Sequence, residues 1–174
     1  MTAERAQAVT EPVHAIDELY RAHGVGLIRF ALMLVGDQAT AEDVVQEAFL
    51  GLYRHWARVQ AGDPVPYLRT AVLNAARSAL RSRRRGLARL HRAARHDPPV
   101  WSAEAAAMEH ADRRAVLAAV AKLPPRQREV LALRYYLDLS EQEIGTLLGL
   151  ARGTVSATTA KAIAALARQF KEDT

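Results

Sequence analysis

The sequence predicts an all-α protein made of two small helical domains joined by a linker. Three observations point there. Half of the 174 residues are apolar but only 6% are aromatic, and the apolar half leans on Ala and Leu, which favours helix over sheet. Gly and Pro concentrate at a few breaks, and between them apolar residues recur at helical spacing. Charge is also segregated: residues 1–65 carry a net −4, residues 66–95 hold nine Arg and no acid, and residues 96–174 are neutral. A basic block between an acidic and a neutral part is the footprint of a polyanion partner.

Taken in order, residues 1–12 read as a frayed tail. From Val13 to Val35, Ile16, Leu19, Tyr20, Leu27, Phe30, Ala31 and Leu34 recur at helical spacing, and His23-Gly24 predicts a break between two short helices. After Gly36-Asp37, Thr40 with Asp43 forms a variant capping box that predicts a helix running to about residue 57. Its apolar stripe is Val44, Val45, Ala48, Phe49, Leu52, Tyr53 and Trp56. Gly62-Asp63-Pro64-Val65-Pro66 interrupts the pattern, and Pro66 is placed as the first residue of the next helix, 66–84. There Leu68, Ala71, Val72, Ala75, Ala79 and Leu80 face inward. The expected domains are therefore 13–85 and 109–170, with 86–108, which contains Asp97-Pro98-Pro99, as a linker that allows a helical start.

In the second domain, Val116, Leu117, Val120 and Leu123 form one helix that stops at Pro124-Pro125, and Val130, Leu131, Leu133, Arg134 and Tyr135 lie in another. Ser140 with Glu143 then makes a full capping box, so a helix begins at Glu141 with Ile144, Leu147 and Leu148 inward. Gly149 suits a left-handed turn and Leu150 follows as an apolar plug. A second helix starts near Arg152-Gly153, with Val155 and Ile163 turned inward. Short helix, Gly-containing turn and second helix make the helix-turn-helix layout, whose second helix presents its N-terminal residues to base edges in the major groove. The polar side chains available there are Arg152, Thr154, Ser156, Thr158, Thr159 and Lys161. An ordinary αα-hairpin in a helical bundle would share the same turn and caps.

Other classes find little support. With no Cys, disulfides and thiolate metal sites are excluded, which fits a reducing cytosol. The opening MTAERAQAVTEP lacks the apolar core of a secretion signal, and no stretch approaches the roughly 20 apolar residues of a membrane helix. A cytoplasmic protein without membrane insertion is expected. His14, His23, His55, His91, His96 and His110 show no ligand spacing, and there is neither a Gly-rich phosphate loop nor a nucleophile elbow. Neither an enzyme nor a cofactor or metal is expected. A receiver-type signalling regulator would need alternating strands upstream, and a helix-binding scaffold would not need the Arg block.

Three segments carry a resemblance to a known family. LPPRQREVLALRYYLDLSEQEIGTLLGLARGTVSATTAKAIAAL, residues 123–166, resembles the domain of extracytoplasmic-function sigma factors that reads the promoter −35 element. GDQATAEDVVQEAFLGLYRHWA, residues 36–57, resembles the family's polymerase-binding helix, and PYLRTAVLNAARSALRSRRR, residues 66–85, its −10 reading helix. The segments occur in the family's order and are most similar to the actinobacterial sigma-E-like branch of the sigma-70 family. The resemblance implies that Asp43, Gln46, Glu47 and Phe49 dock on core RNA polymerase. It further implies that Arg69, Asn74, Arg77, Arg81 and Arg84 face the −10 element, and that Arg152, Thr154, Val155, Ser156, Thr158, Thr159 and Lys161 face the −35 duplex of promoter DNA. The loop at 58–65, flanked by Trp56 and Tyr67, is the candidate pocket for a flipped base. An anti-sigma factor is a further implied partner. One departure stands out: after Gly-Thr-Val many relatives carry Lys or Arg, and this chain has Ser156. A helix-turn-helix regulator that is not a polymerase subunit is the alternative reading.

Overall fold

The computed structural model describes the backbone of residues 2–90 and 111–172, and the side chains of residues 12–85 and 115–171. Among the described residues every regular element is a helix: α1 (Thr2–Val35), α2 (Gln38–Arg54), α3 (Trp56–Val59), α4 (Pro64–Leu90), α5 (Ala111–Ala121), α6 (Pro125–Leu131), a π-helical turn (Ala132–Tyr136), α7 (Glu141–Leu148) and α8 (Arg152–Glu172). The chain divides into two compact units, one of residues 1–31 and 39–96 and the other of 32–38 and 97–174. Residues 91–108 of the expected linker lie outside the described residues.

In the first unit, α2 meets α1 at Phe49 and Tyr20 and lines a groove with α4. Leu27, Phe30 and Ala31 from α1, Ala41, Val44, Val45, Ala48 and Leu52 from α2, and Leu68, Val72, Leu73 and Ala76 from α4 are all buried. Their spacing is that of one wide apolar stripe on each helix. Fully burying each large side chain contributes about 1.5–3 kcal/mol, and that gain overrides weak local signals.

Five expectations are corrected by this packing. α1 runs without a break through His23-Gly24 and begins at Thr2, so residues 2–12 are helical rather than a tail. Gly24 is buried, and a Cβ there would meet the Tyr20 ring at 3.2 Å. That glycine is a packing residue, where a turn had been inferred. α2 starts at Gln38, so Thr40 lies inside the helix and does not cap it. α2 ends at Arg54, and α3 takes up Trp56–Val59 after a one-residue turn. α4 begins at Pro64 rather than Pro66, with the Asp63 carboxylate accepting from the Val65 N–H at 2.9 Å; it continues to Leu90, within the helical start allowed for the linker.

In the second unit, α6 and α7 pack on α8. The core gathers Val120, Leu123, Val130, Leu131, Leu133, Ile144, Leu148, Val155 and Ala162. Arg128 ties carbonyls together here, donating to Ala121 at 2.8 Å, to Leu123 at 3.2 Å and to Leu34. One inward assignment fails: Ile163 is exposed, and Ala162 takes the inward position on α8. An Ala-rich helix has few large apolar residues to mark its register, so Ile163 was a misleading guide.

Candidate nucleic-acid and protein interfaces

The helix-turn-helix is built from α7, its turn and α8. Ser140 sits in extended conformation, φ −67° and ψ 158°, and its hydroxyl oxygen accepts from the Glu143 N–H at 3.2 Å. The Glu143 carboxylate in turn accepts from the Ser140 N–H at 2.8 Å. Replacing Ser140 with Ala removes the reciprocal cap and is expected to cost about 1 kcal/mol, seen as a fall of roughly 4–8 °C in the melting midpoint of the C-terminal unit. At the other end of α7, Gly149 adopts the left-handed conformation, φ 66° and ψ 41°, which glycine enters without strain. The Leu150 N–H then donates to the Gly145 carbonyl at 2.8 Å. A Cβ on Gly145 would lie 2.7 Å from the Leu150 carbonyl oxygen, so this glycine lets the turn close on the helix.

α8 leaves that turn with Val155 and Ala162 wholly buried beneath it. Val155 therefore anchors the helix and presents no surface to a groove, which corrects its place among the DNA-facing residues. Arg152, Thr154, Ser156 and Lys161 are exposed. Thr158 and Thr159 are half-buried, and their hydroxyls donate to the carbonyls of Thr154 and Val155 at 2.7 and 2.9 Å. At about 100° per residue, Gly153, Ala157, Ala160 and Ala164 form the middle of the exposed face, with Arg152 and Ser156 on one flank and Thr154 and Lys161 on the other. Small residues along the centre allow close approach to a surface while the flanks supply polar contacts.

Glu141 makes a contact with the start of α8 that sequence reasoning missed. Its carboxylate accepts from Arg152 Nε at 3.1 Å. Hydrogen bonds from the Arg152 guanidinium and then the Ser156 side chain hold its carboxyl below the usual carboxylate range. The pair spans eleven residues across the turn, so no local spacing rule reveals it.

In the first unit, α2 exposes Asp43, Gln46 and Glu47 on one face, and Leu50 and Tyr53 are exposed beside them. Phe49 is not part of that surface. It is only 7% exposed and meets the Tyr20 ring edge-on, with centroids 5.1 Å apart and planes at 72°. Its assignment to polymerase docking is corrected: it is a core residue. On α4, Asn74, Arg77, Arg81 and Arg84 recur at i, i+3, i+7 and i+10 and share one face. Asn74, Arg81 and Arg84 are exposed and Arg77 is half-buried. Arg69, half-buried, lies well round the helix from Asn74 and does not join that row. The two surfaces meet along a groove of about 240 Å³ lined by Glu47, Ala48 and Gly51 of α2 and Ala71, Asn74, Ala75 and Ser78 of α4. The loop assigned to base capture narrows to Gln60–Asp63, with Trp56 and Tyr67 half-buried at its ends. Among the described residues, no group of three or more His, Cys, Asp or Glu is placed to hold a metal ion, and no helix is long and apolar enough to cross a membrane.

Comparison with known proteins bears on both surfaces. The family model described as Sigma-70 region 2 matches residues 19–86, and the one described as Sigma-70, region 4 matches residues 113–166. The ECF RNA polymerase sigma factor SigL of Mycobacterium tuberculosis is 33% identical over 158 residues, which cover 88% of each chain. The chain belongs to the sigma-70 family, in its extracytoplasmic-function group. The RNA polymerase sigma-E factor of Streptomyces avermitilis is 30% identical to this sigma factor over 89% of the chain and 84% of the relative. Among solved structures, CnrH in complex with the cytosolic domain of CnrY aligns with a TM-score of 0.65 and 25% identity, covering 97% of this chain and 96% of CnrH. RpoE of Bartonella quintana, solved with the anti-sigma factor NepR, shares the fold at a TM-score of 0.70 and 22% identity, over 91% of this chain and 97% of that one. Region 2 thus contains α2 and most of α4, and region 4 contains the helix-turn-helix of this sigma factor.

Proposed function

We propose that this sigma factor binds core RNA polymerase through the exposed face of α2 and directs initiation at promoters it grips at two points. The α4 row of Asn74, Arg77, Arg81 and Arg84 faces the −10 element, and the polar flanks of α8 face the −35 duplex. The observation that carries this reading is the coexistence on one chain of an acidic, partly apolar exposed helix face and an exposed helix-turn-helix, within the two sigma-70 regions. Carboxylates beside Leu50 and Tyr53 suit a basic partner with an apolar centre. A regulator that never joined polymerase would have no use for that face. The chain performs no bond chemistry itself, acts in the bacterial cytoplasm where polymerase works, and takes an anti-sigma factor as a further partner.

The test is transcription in vitro with purified core polymerase on a pool of promoter fragments. Initiation that requires the added chain, at a shared sequence pattern, is the expected result; transcription unchanged by its addition overturns the reading. Lys161→Ala is expected to reduce the magnitude of the log–log salt slope of upstream duplex binding by about 0.9, the loss of one phosphate contact. An unchanged slope removes Lys161 from the phosphate contacts.

A further inference from the structure

The region-4 surface poses an electrostatic problem. From Ser140 to Lys161 the segment holds Glu141, Glu143, Arg152 and Lys161 and is therefore neutral. Phosphate attraction, which supplies most non-specific affinity, is correspondingly weak there. Of the two cations, Arg152 is engaged by Glu141 through Nε. The Arg152 side chain remains 74% exposed, whereas that of Glu141 is 29% exposed.

An exposed ion pair of this kind contributes little to stability, but its geometry has a consequence for recognition. A guanidinium held at Nε still offers the parallel N–H pair of its Nη end to a second partner. That end is the one that pairs with O6 and N7 of guanine in the major groove. The carboxylate also offsets the charge that would otherwise draw Arg152 to any nearby phosphate. Ser156, one turn along α8 from Arg152, helps to hold that carboxyl below the usual carboxylate range.

We propose that Glu141 is a specificity-determining positioning residue that orients Arg152 towards a guanine edge and trades general duplex affinity for discrimination at one base pair. This rests on the reading of α8 as the −35 contact. A carboxylate at the first position of α7 is also favoured by the helix dipole, but that role would leave base preference untouched.

The test uses holoenzyme assembled from the full chain and core polymerase, with duplexes randomised upstream of a fixed −10 element. The intact chain is expected to enrich guanine at one upstream position by about fivefold or more. Glu141→Gln keeps the shape and removes the charge; it should reduce that preference to about twofold or less while raising affinity for an unrelated duplex about threefold or more. Arg152→Lys, which keeps the charge but cannot bond in two places, should lose the preference as well. Glu141→Asp keeps the charge on a shorter side chain and should weaken the preference partway, which keeps the idea testable if Glu141→Gln folds poorly. Enrichment and unrelated-duplex affinity unchanged in Glu141→Gln, with its melting curve intact, overturns the inference and leaves the sigma reading standing. Failure of the intact chain to select any upstream sequence overturns the −35 assignment itself.

Discussion

Asp43→Lys combined with Glu47→Lys lowers affinity for core polymerase by about 100-fold or more while the protein stays folded. Both side chains are exposed on α2, one turn apart, next to exposed Leu50 and Tyr53. Close charge pairs across an interface are worth at least about 1.5 kcal/mol each, and about 1.4 kcal/mol is a factor of ten in affinity. Reversal replaces attraction by repulsion, so two sites together exceed two simple deletions. Neither side chain packs in the core, so the melting midpoint should move by no more than about 4 °C. Co-purification with polymerase, or a titration followed by fluorescence anisotropy, measures the first effect and a thermal melt the second. Undiminished binding with an intact fold would remove α2 from the docking surface.

The second large effect is on stability. Phe49→Ala is expected to destabilise the N-terminal unit by about 3–5 kcal/mol, the usual cost of deleting a buried aromatic. The cavity would open under Tyr20, whose ring meets Phe49 edge-on at 5.1 Å, and such aromatic pairs add about 0.5–1.5 kcal/mol beyond burial. Because Tyr20 lies on α1 and Phe49 on α2, the loss separates two helices that the unit depends on. Phe49→Leu, which keeps much of the volume, should recover most of the melting midpoint. It should also bind polymerase nearly as well as the native chain. A stable Phe49→Leu that has lost polymerase binding would return Phe49 to the docking surface.

Those two residues show where sequence reading and structure part. Asp43 and Phe49 lie six positions apart in one family motif, and the resemblance gave both the same role. Burial separates them: Phe49 is 7% exposed and Asp43 is on the open face. A motif records which residue types recur, while the partner of each side chain depends on what the fold brings opposite. The same reason explains Val155, which belongs to the recognition segment yet lies beneath it.

Local chemistry was legible wherever a backbone group has to be satisfied by a near neighbour. The Ser140–Glu143 cap, the left-handed Gly149, the start of α8 at Arg152 and the stop before Pro124-Pro125 are all written in the local sequence. Each is decided within three or four residues, by hydrogen-bond supply or by allowed φ. The all-α class and the order of the two sigma-70 regions were legible for a related reason, since helical spacing of apolar residues needs no partner to be recognised.

Tertiary structure decided what depends on distant neighbours. α1 runs through a dipeptide that reads as a break, because burial of its stripe at Leu27, Phe30 and Ala31 outweighs a propensity penalty of about 1 kcal/mol. The register of α8 was set by what lies beneath it, so small Ala162 is buried and larger Ile163 is exposed. The Glu141–Arg152 pair exists only because the turn brings two helix starts together. The sequence alone determined that this chain is helical, has two regions and carries a helix-turn-helix. Only the folded chain decided which side chains of those regions face a partner, because exposure and charge pairing belong to the packed helices together.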